Sequence, residues 1–126
     1  MYEPFTKSTW PGMYWDEENL ILFTNNNLRA ALTKAGLNTK ILNLDYNFRN
    51  WESGKRIMDS TMNTTDGLAF HWYGGEPEVM EMFSQDEKYS NKLIYVTEAS
   101  SGSTTREAYN LDDFLNTTEK IVRSLR

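Results

Sequence analysis

The distribution of apolar and polar positions first indicates a helix from Asp16 to Gly36. Its first turn is acidic, which suits the positive end of a helix dipole, and Gly36 stands where a glycine commonly ends a helix. A short apolar run at 40–44 follows and leads into the polar segment 45–50, so the pattern predicts a helix, a buried strand and a loop. The apolar residues near one face of the helix are Ile21, Leu28, Ala31, Leu32 and Ala35.

The same alternation recurs along the chain. A weaker helical pattern at 55–62 precedes a strand pattern at 67–73, and Pro77 begins a third helix that precedes a strand at 93–97. A loop rich in serine, glycine and threonine then leads to a fourth helix from about Asn110. The fourth helix has the clearest helical stripe in the sequence: Leu111, Phe114, Leu115, Thr118, Ile121, Val122 and Leu125.

Helices and strands therefore alternate, and the three strands begin near residues 40, 67 and 92, a spacing of about 26 residues. Such alternation predicts parallel strands joined by right-handed crossovers. The predicted fold class is α/β, a partial TIM (β/α) barrel with about three parallel strands and four helices in a single unit, residues 1–126. A complete barrel needs roughly 250 residues, so this chain would supply about half of one. A small open α/β layer is the structural alternative.

The amino-acid composition argues against several classes of binding partner and several kinds of site. Hydrophobic residues make up 39% of the 126 residues and charged residues 25%, which is typical of a folded globular chain. The net charge of −5 argues against nucleic acid as a partner, and no apolar run approaches the ~20 residues of a membrane span. The absence of cysteine removes disulfides, thiolate metal sites and cysteine nucleophiles. Aromatic residues, at 13%, suit either sugar stacking or ordinary core packing.

Polar and aromatic side chains stand at the carboxyl end of each predicted strand. Because these ends open onto one face of a parallel barrel, the side chains are expected to cluster there. His71 is the single histidine, and spacing alone marks no catalytic triad or metal site around it. The strand-end residues are Asp45 and Asn47 after the first strand, His71, Trp72 and Tyr73 at the second, and Glu98 at the third.

Two of these strand ends carry a recognisable pair of motifs. The segment Gly-Leu-Ala-Phe-His-Trp-Tyr at 67–73, followed about 25 residues later by Tyr-Val-Thr-Glu-Ala-Ser at 95–100, resembles glycoside hydrolase family 30, the glucosylceramidase-like O-glycosyl hydrolases. The resemblance extends to the opening at 10–13, the helix end at 34–40 and the Leu-Asp-Tyr-Asn segment at 44–47. It implies a fragment of a (β/α)8 catalytic domain that runs from the end of strand four through helix seven.

The resemblance also implies roles for two carboxylates. In that family the glutamate of the Thr-Glu-Ala-Ser segment is the nucleophile, which corresponds to Glu98, and a retaining glycosidase needs a second, protonated carboxyl ~5–5.5 Å away. The family's acid/base lies in an Asn-Glu-Pro segment, which matches Glu3 and Pro4, although Tyr2 stands in place of the asparagine. This departure is either a true substitution or the sign of a chain that begins just after strand four. The second interpretation is favoured because two residues cannot form a strand.

The remaining strand-end residues take substrate-binding roles by the same resemblance. His71 and Trp72 would belong to a sugar-binding wall. Tyr73 would donate a hydrogen bond to a catalytic carboxylate and help keep that carboxylate ionised. Asp45 and Asn47 would hydrogen-bond sugar hydroxyls.

The function that the resemblance implies is that of a retaining glycoside hydrolase that cleaves β-glycosidic bonds through a covalent glycosyl intermediate. A carbohydrate or glycolipid such as glucosylceramide is the expected substrate, and no metal or organic cofactor is expected. One alternative is a catalytically inactive remnant or carbohydrate-binding fragment. Another is a fragment that completes a barrel with a missing half or by self-association. The chain alone is expected to be catalytically silent, because three strands leave two sheet edges unpaired.

Overall fold

The computed structural model describes residues 13–100 and 111–125, and within them helices and strands alternate in the predicted order. The strands are β1 (Leu42–Asn47), β2 (Gly67–His71) and β3 (Leu93–Glu98). The α-helices are α1 (Glu17–Phe23), α2 (Arg29–Lys34), α3 (Trp51–Ser60), α4 (Val79–Ser84) and α5 (Leu111–Ser124). Short helical turns are the π-turn Thr24–Leu28 and the 3-10 turns Phe48–Asn50 and Glu87–Tyr89.

The helix predicted from Asp16 to Gly36 forms as one rod in which the π-turn joins α1 to α2. Asp16 caps the rod, since its carboxylate accepts the backbone N–H of Asn19 at 2.8 Å. The residues that flank the π-turn keep right-handed helical angles, and the rod ends at Gly36, whose φ of 69° costs a glycine little. With this rod taken as one helix, the described residues contain four helices and three strands, as predicted.

The three strands are parallel and adjacent in the order β1-β2-β3. His71 of β2 pairs with Asn47 on one side and Glu98 on the other, so the predicted common carboxyl end of the strands is confirmed. The predicted fold class, a parallel α/β unit consistent with part of a (β/α) barrel, is confirmed as well. The prediction of a loop from residue 45 is wrong, because β1 continues through an irregular backbone to Asn47.

The hydrophobic core lies between the sheet and helices α3 and α4. Gly54 lets α3 approach the sheet closely, since a methyl group there would lie 3.0 Å from a methyl carbon of Leu44 and 3.3 Å from one of Leu68. This burial fixes the sheet against the helices, and the polar strand ends lie at its rim. The core side chains are Leu20, Leu44, Phe48, Ile57, Met58, Leu68, Phe70, Trp72, Phe83 and Tyr89.

Asp66 joins the amino ends of β1 and β2 to the helical rod. Its carboxylate accepts the backbone N–H of Ile41 at 2.8 Å and pairs with the guanidinium of Arg29 and with Lys40 Nζ at 3.2 Å. Burial opposes ionisation, but these donors outweigh it and lower the pKa of Asp66. The sheet is therefore braced at the amino ends of its strands, away from the candidate site at the carboxyl ends.

The fourth predicted helix forms as α5, but its apolar stripe is exposed. Leu111, Phe114 and Leu125 are 69%, 65% and 82% exposed. Polar contacts join α5 to the rest of the described chain: Arg123 pairs with Glu76 and Glu78, and Lys120 donates to a backbone carbonyl after β2. Across residues 13–100 and 111–125, no helix is both long and apolar enough to cross a bilayer.

Candidate functional site

His71 lies between two carboxylates at the carboxyl end of the sheet. Its Nε2 lies 3.1 Å from Asp45 Oδ1, and its Nδ1 lies 3.6 Å from Glu98 Oε2. The imidazole is 1% exposed, whereas the side chains of Asp45 and Glu98 are 38% and 18% exposed. Three residues that the sequence places at the ends of three successive strands therefore form one cluster.

Two irregularities in the sheet bring these side chains together. Leu44 and Asp45 adopt the left-handed region, with φ of 73° and 47°, and the register of β1 against β2 shifts at this point. A second shift, between Phe70 and His71, makes Glu98 the partner of His71. Bulges commonly redirect a side chain beside a functional site, and left-handed angles at residues other than glycine mark strain that the surrounding contacts must hold.

The carboxylate of Asp45 is held in its ionised form. Burial disfavours the charge, but hydrogen bonds from His71 and from the hydroxyl of Thr97, at 2.7 Å, outweigh burial and lower the pKa of Asp45. Thr97 Oγ1 also lies 3.5 Å from the backbone carbonyl of Phe70. Asp45 is therefore tied to both β2 and β3.

The two aromatic residues that follow His71 have different surroundings. Trp72 is 6% exposed and belongs to the core, with its indole N–H donating to the carbonyl of Ser100 at 3.1 Å. Tyr73 is 47% exposed, and its hydroxyl lies 3.3 Å from Ser100 Oγ. Tyr73 is accessible to a ligand, whereas Trp72 lies on the helix side of the sheet and anchors the segment after β3.

The other two predicted site residues are Asn47 and Glu3. Asn47 is the last residue of β1 and pairs with His71 along the backbone, and its buried Oδ1 has no hydrogen-bond partner among the described residues. Glu3 lies outside the residues that the structure describes. The structure thus brings Asp45, Asn47, His71 and Glu98 to one edge, with Tyr73 beside them.

Sequence analysis did not single out Thr97 and Ser100. Both flank Glu98 within the Thr-Glu-Ala-Ser segment, and each contacts a predicted site residue, Thr97 through Asp45 and Ser100 through Tyr73. The sequence feature that could have identified them is a hydroxyl-bearing residue on either side of a strand-end carboxylate. Their partners lie 52 and 27 residues away along the chain, which no local pattern encodes.

This arrangement offers carboxylate chemistry. Glu98 is partly accessible beside a buried histidine, and a carboxylate in that setting can attack an electrophilic carbon or accept a proton. In the described part of the chain, no three His, Cys, Asp or Glu side chains are grouped so as to hold a metal ion.

Comparison with known proteins relates the chain to a solved structure. No protein-family model and no curated protein matches the chain. A solved endo-beta1,6-glucanase superposes on 81% of the chain with a TM-score of 0.71 and 27% sequence identity. The superposed part makes up 24% of that glucanase, so the chain spans about a quarter of its length. The superposed part of the chain thus has the fold of part of a glycoside hydrolase.

Proposed function

We propose that this chain carries the nucleophile side of a retaining β-glycosidase site, with Glu98 as the nucleophile. The observation that supports the proposal most directly is the place of Glu98, the last residue of β3 and the backbone partner of His71. Catalytic groups of parallel barrels come from the carboxyl ends of strands. The resemblance of the Thr-Glu-Ala-Ser segment to glycoside hydrolase family 30 assigns the same role to the same residue.

In the proposed reaction, a Glu98 oxygen forms a bond with the anomeric carbon while the bond from that carbon to the leaving oxygen breaks. The leaving oxygen takes a proton from a second carboxyl, and water later hydrolyses the glycosyl ester. The resemblance gives the acid/base role to Glu3. A retaining mechanism requires that carboxyl to stand about 5–5.5 Å from Glu98.

The proposed substrate class is β-linked glucose. The structural neighbour is described as an endo-beta1,6-glucanase, and the family 30 resemblance points to glucosylceramide. Both have glucose in a β-glycosidic bond and differ in the leaving group. Substrate discrimination would therefore lie in the residues around the leaving group, while Glu98, Asp45 and Asn47 would contact the shared glucosyl unit.

Covalent trapping tests the proposal. A 2-deoxy-2-fluoro-β-glucosyl fluoride has a leaving group that departs without protonation, so attack depends on the nucleophile and not on the general acid. The fluorine at C2 slows hydrolysis of the ester, so the adduct accumulates. We expect mass spectrometry to find one fluoroglucosyl group on the peptide that contains Glu98, and none in Glu98→Gln.

Glu87→Gln is the matched control, because Glu87 is an exposed carboxylate in the 3-10 turn before β3. That variant should be labelled at the wild-type rate. A label on another carboxylate, equal labelling of Glu98→Gln, or no label on the folded chain would contradict the assignment of Glu98.

Carbohydrate binding without turnover is the second candidate function. The observation that favours it is the exposure of two aromatic rings, Tyr73 at 47% and Tyr95 at 51%, since accessible rings can stack on sugar faces. Titration calorimetry with a β1,6-linked glucan distinguishes the two functions. Binding that Tyr95→Ala weakens and Glu98→Gln leaves unchanged, together with no covalent label, would favour this candidate.

A further inference from the structure

The buried imidazole of His71 has one satisfied nitrogen and one unsatisfied nitrogen. Nε2 has Asp45 as its partner, whereas Nδ1 has no hydrogen-bond partner among the described residues and lies 3.6 Å from Glu98 Oε2. A buried polar atom without a partner destabilises the fold, so such atoms are rare and call for an explanation. Nδ1 is directed at the carboxylate that we propose as the nucleophile.

The protons on the two ring nitrogens of His71 give that explanation. The carboxylate of Asp45 is ionised and can only accept hydrogen bonds, so Nε2 must be the nitrogen that donates. If Nδ1 carried no proton, its lone pair would face the carboxylate oxygen of Glu98, and two acceptors would repel each other. The contact between His71 and Glu98 is attractive only when a proton lies between Nδ1 and Oε2.

The two sheet irregularities supply the geometry for this contact. The left-handed backbone at Leu44 and Asp45 sets one carboxylate at Nε2, and the shift in register at Phe70 and His71 sets Glu98 on the side of Nδ1. Thr97 donates to the same oxygen of Asp45 that His71 contacts, so both residues hold the Asp45 carboxylate in place. Neither arrangement follows from a regular parallel ladder.

Two aromatic rings also lie near the imidazole. The Tyr46 and Tyr73 rings lie with their centroids 6.4 Å and 6.2 Å from that of His71, and Tyr73 meets it edge-on. The charged groups that face the imidazole in the described part of the chain are the carboxylates of Asp45 and Glu98. The proton on Nδ1 therefore depends on these two groups.

We propose that His71 is a positioning residue for Glu98: Asp45 anchors the imidazole at Nε2, and a proton on Nδ1 holds one oxygen of the Glu98 carboxylate. This inference rests on the proposed role of Glu98 as nucleophile. With one oxygen held, the other remains available to form the bond to the anomeric carbon. Orientation of this kind raises the rate because a displacement of about 1 Å can cost 10²-fold.

The single histidine of the sequence makes the test direct. In a chain labelled with nitrogen-15 at histidine, a long-range proton–nitrogen correlation spectrum reports only Nδ1 and Nε2 of His71. We expect Nδ1 to resonate as a protonated nitrogen in the wild type. Glu98→Gln removes the negative charge and should shift Nδ1 to the position of a nitrogen that has lost its proton, whereas Glu87→Gln should leave it unchanged.

The rate of labelling by 2-deoxy-2-fluoro-β-glucosyl fluoride is the second measurement. His71→Gln and Asp45→Asn should each slow labelling of Glu98 by about 10- to 100-fold while circular dichroism reports a folded chain. If His71→Gln fails to fold, Asp45→Asn, a change at a more exposed side chain, carries the comparison. A labelling rate that Asp45→Asn leaves unchanged would overturn the proposal.

The two measurements separate this inference from the proposed function. If Glu98 takes no label but Glu98→Gln shifts the Nδ1 resonance, the nucleophile assignment fails and the coupling between His71 and Glu98 stands. If Glu98 is labelled but the Nδ1 resonance is the same in the wild type and Glu98→Gln, the positioning role of His71 is wrong.

Discussion

Gly67 lies directly against the backbone of Leu93, so that a methyl group on Gly67 would be 2.0 Å from the Leu93 carbonyl oxygen. These two residues pair at the first position of β2 and β3. The strands can therefore approach each other at this point only because residue 67 has no side chain.

Gly67→Ala is expected to destabilise the fold, because backbone atoms cannot yield to the new methyl group as a flexible side chain can. Overpacking of this kind typically costs 1–3 kcal/mol, and we expect a loss of about 3 kcal/mol in the free energy of unfolding. Gly36→Ala is the matched control, since Gly36 has open space and only its positive φ resists substitution, at about 1 kcal/mol. Urea unfolding followed by tryptophan fluorescence measures both, and equal losses would contradict the packing argument.

Asp59 is expected to make the stability depend on pH in the acid range. Burial opposes its charge, but hydrogen bonds from Lys88, Tyr89 and Lys55 outweigh burial and lower the pKa of Asp59 to about 2. Because the pKa is lower in the folded state than in the unfolded state, this stabilisation is present above about pH 4 and is lost as the pH falls toward 2.

Asp59→Asn should therefore reduce the free energy of unfolding by about 1 kcal/mol at pH 7, a small value because both lysine partners are exposed to solvent. The difference from the wild type should shrink below pH 4 and vanish below pH 2. Thermal unfolding across this pH range checks the prediction, with Glu87→Gln as the control. A difference that is independent of pH would show that the effect is not electrostatic.

Thr97→Val is expected to raise the pKa of Asp45. The hydroxyl of Thr97 donates to Asp45 Oδ1 at 2.7 Å and favours the ionised carboxylate, whereas valine keeps the shape and removes the donor. Carboxyl carbon-13 titration measures the pKa, and Thr97→Ser, which keeps a hydroxyl, should stay close to the wild type. Since the wild-type pKa of Asp45 is lowered, the stability lost in Thr97→Val should be largest at neutral pH and should decline in acid.

The purified chain is expected to show no measurable turnover of an aryl β-glucoside. Turnover of an aryl glucoside needs a general acid, whose loss commonly costs about 10²–10⁴ in rate, whereas labelling by the fluoride needs the nucleophile alone. In residues 13–100 and 111–125, the sheet has three strands, and β1 and β3 each pair on one side only. Release of the aryl group measured by absorbance tests this expectation. Turnover that Glu98→Gln abolishes would contradict it and would indicate that the chain assembles a working site.

The alternation of helices and strands could be predicted from the sequence because side-chain periodicity is local. Apolar residues at helical spacing, Gly36 at a helix end and apolar runs before His71 and Glu98 each act within a few residues of the chain. The connections between the strands are long enough to hold a helix, which allows the strands to pair in parallel. The fold class and the common carboxyl end of the strands could therefore be predicted as well. The clustering of polar residues at that end could also be predicted, because these residues stand at the end of each predicted strand in the sequence.

The tertiary structure decided how those residues meet. Nothing in the local sequence predicts left-handed backbone at Leu44 and Asp45, since leucine rarely adopts it, and that backbone sets Asp45 against His71. The same holds for the burial of Trp72, which the sequence could place at a strand end but not on the helix side of the sheet. Periodicity determines which face a side chain takes in a regular strand, whereas bulges and burial are set by contacts between segments that lie far apart along the chain.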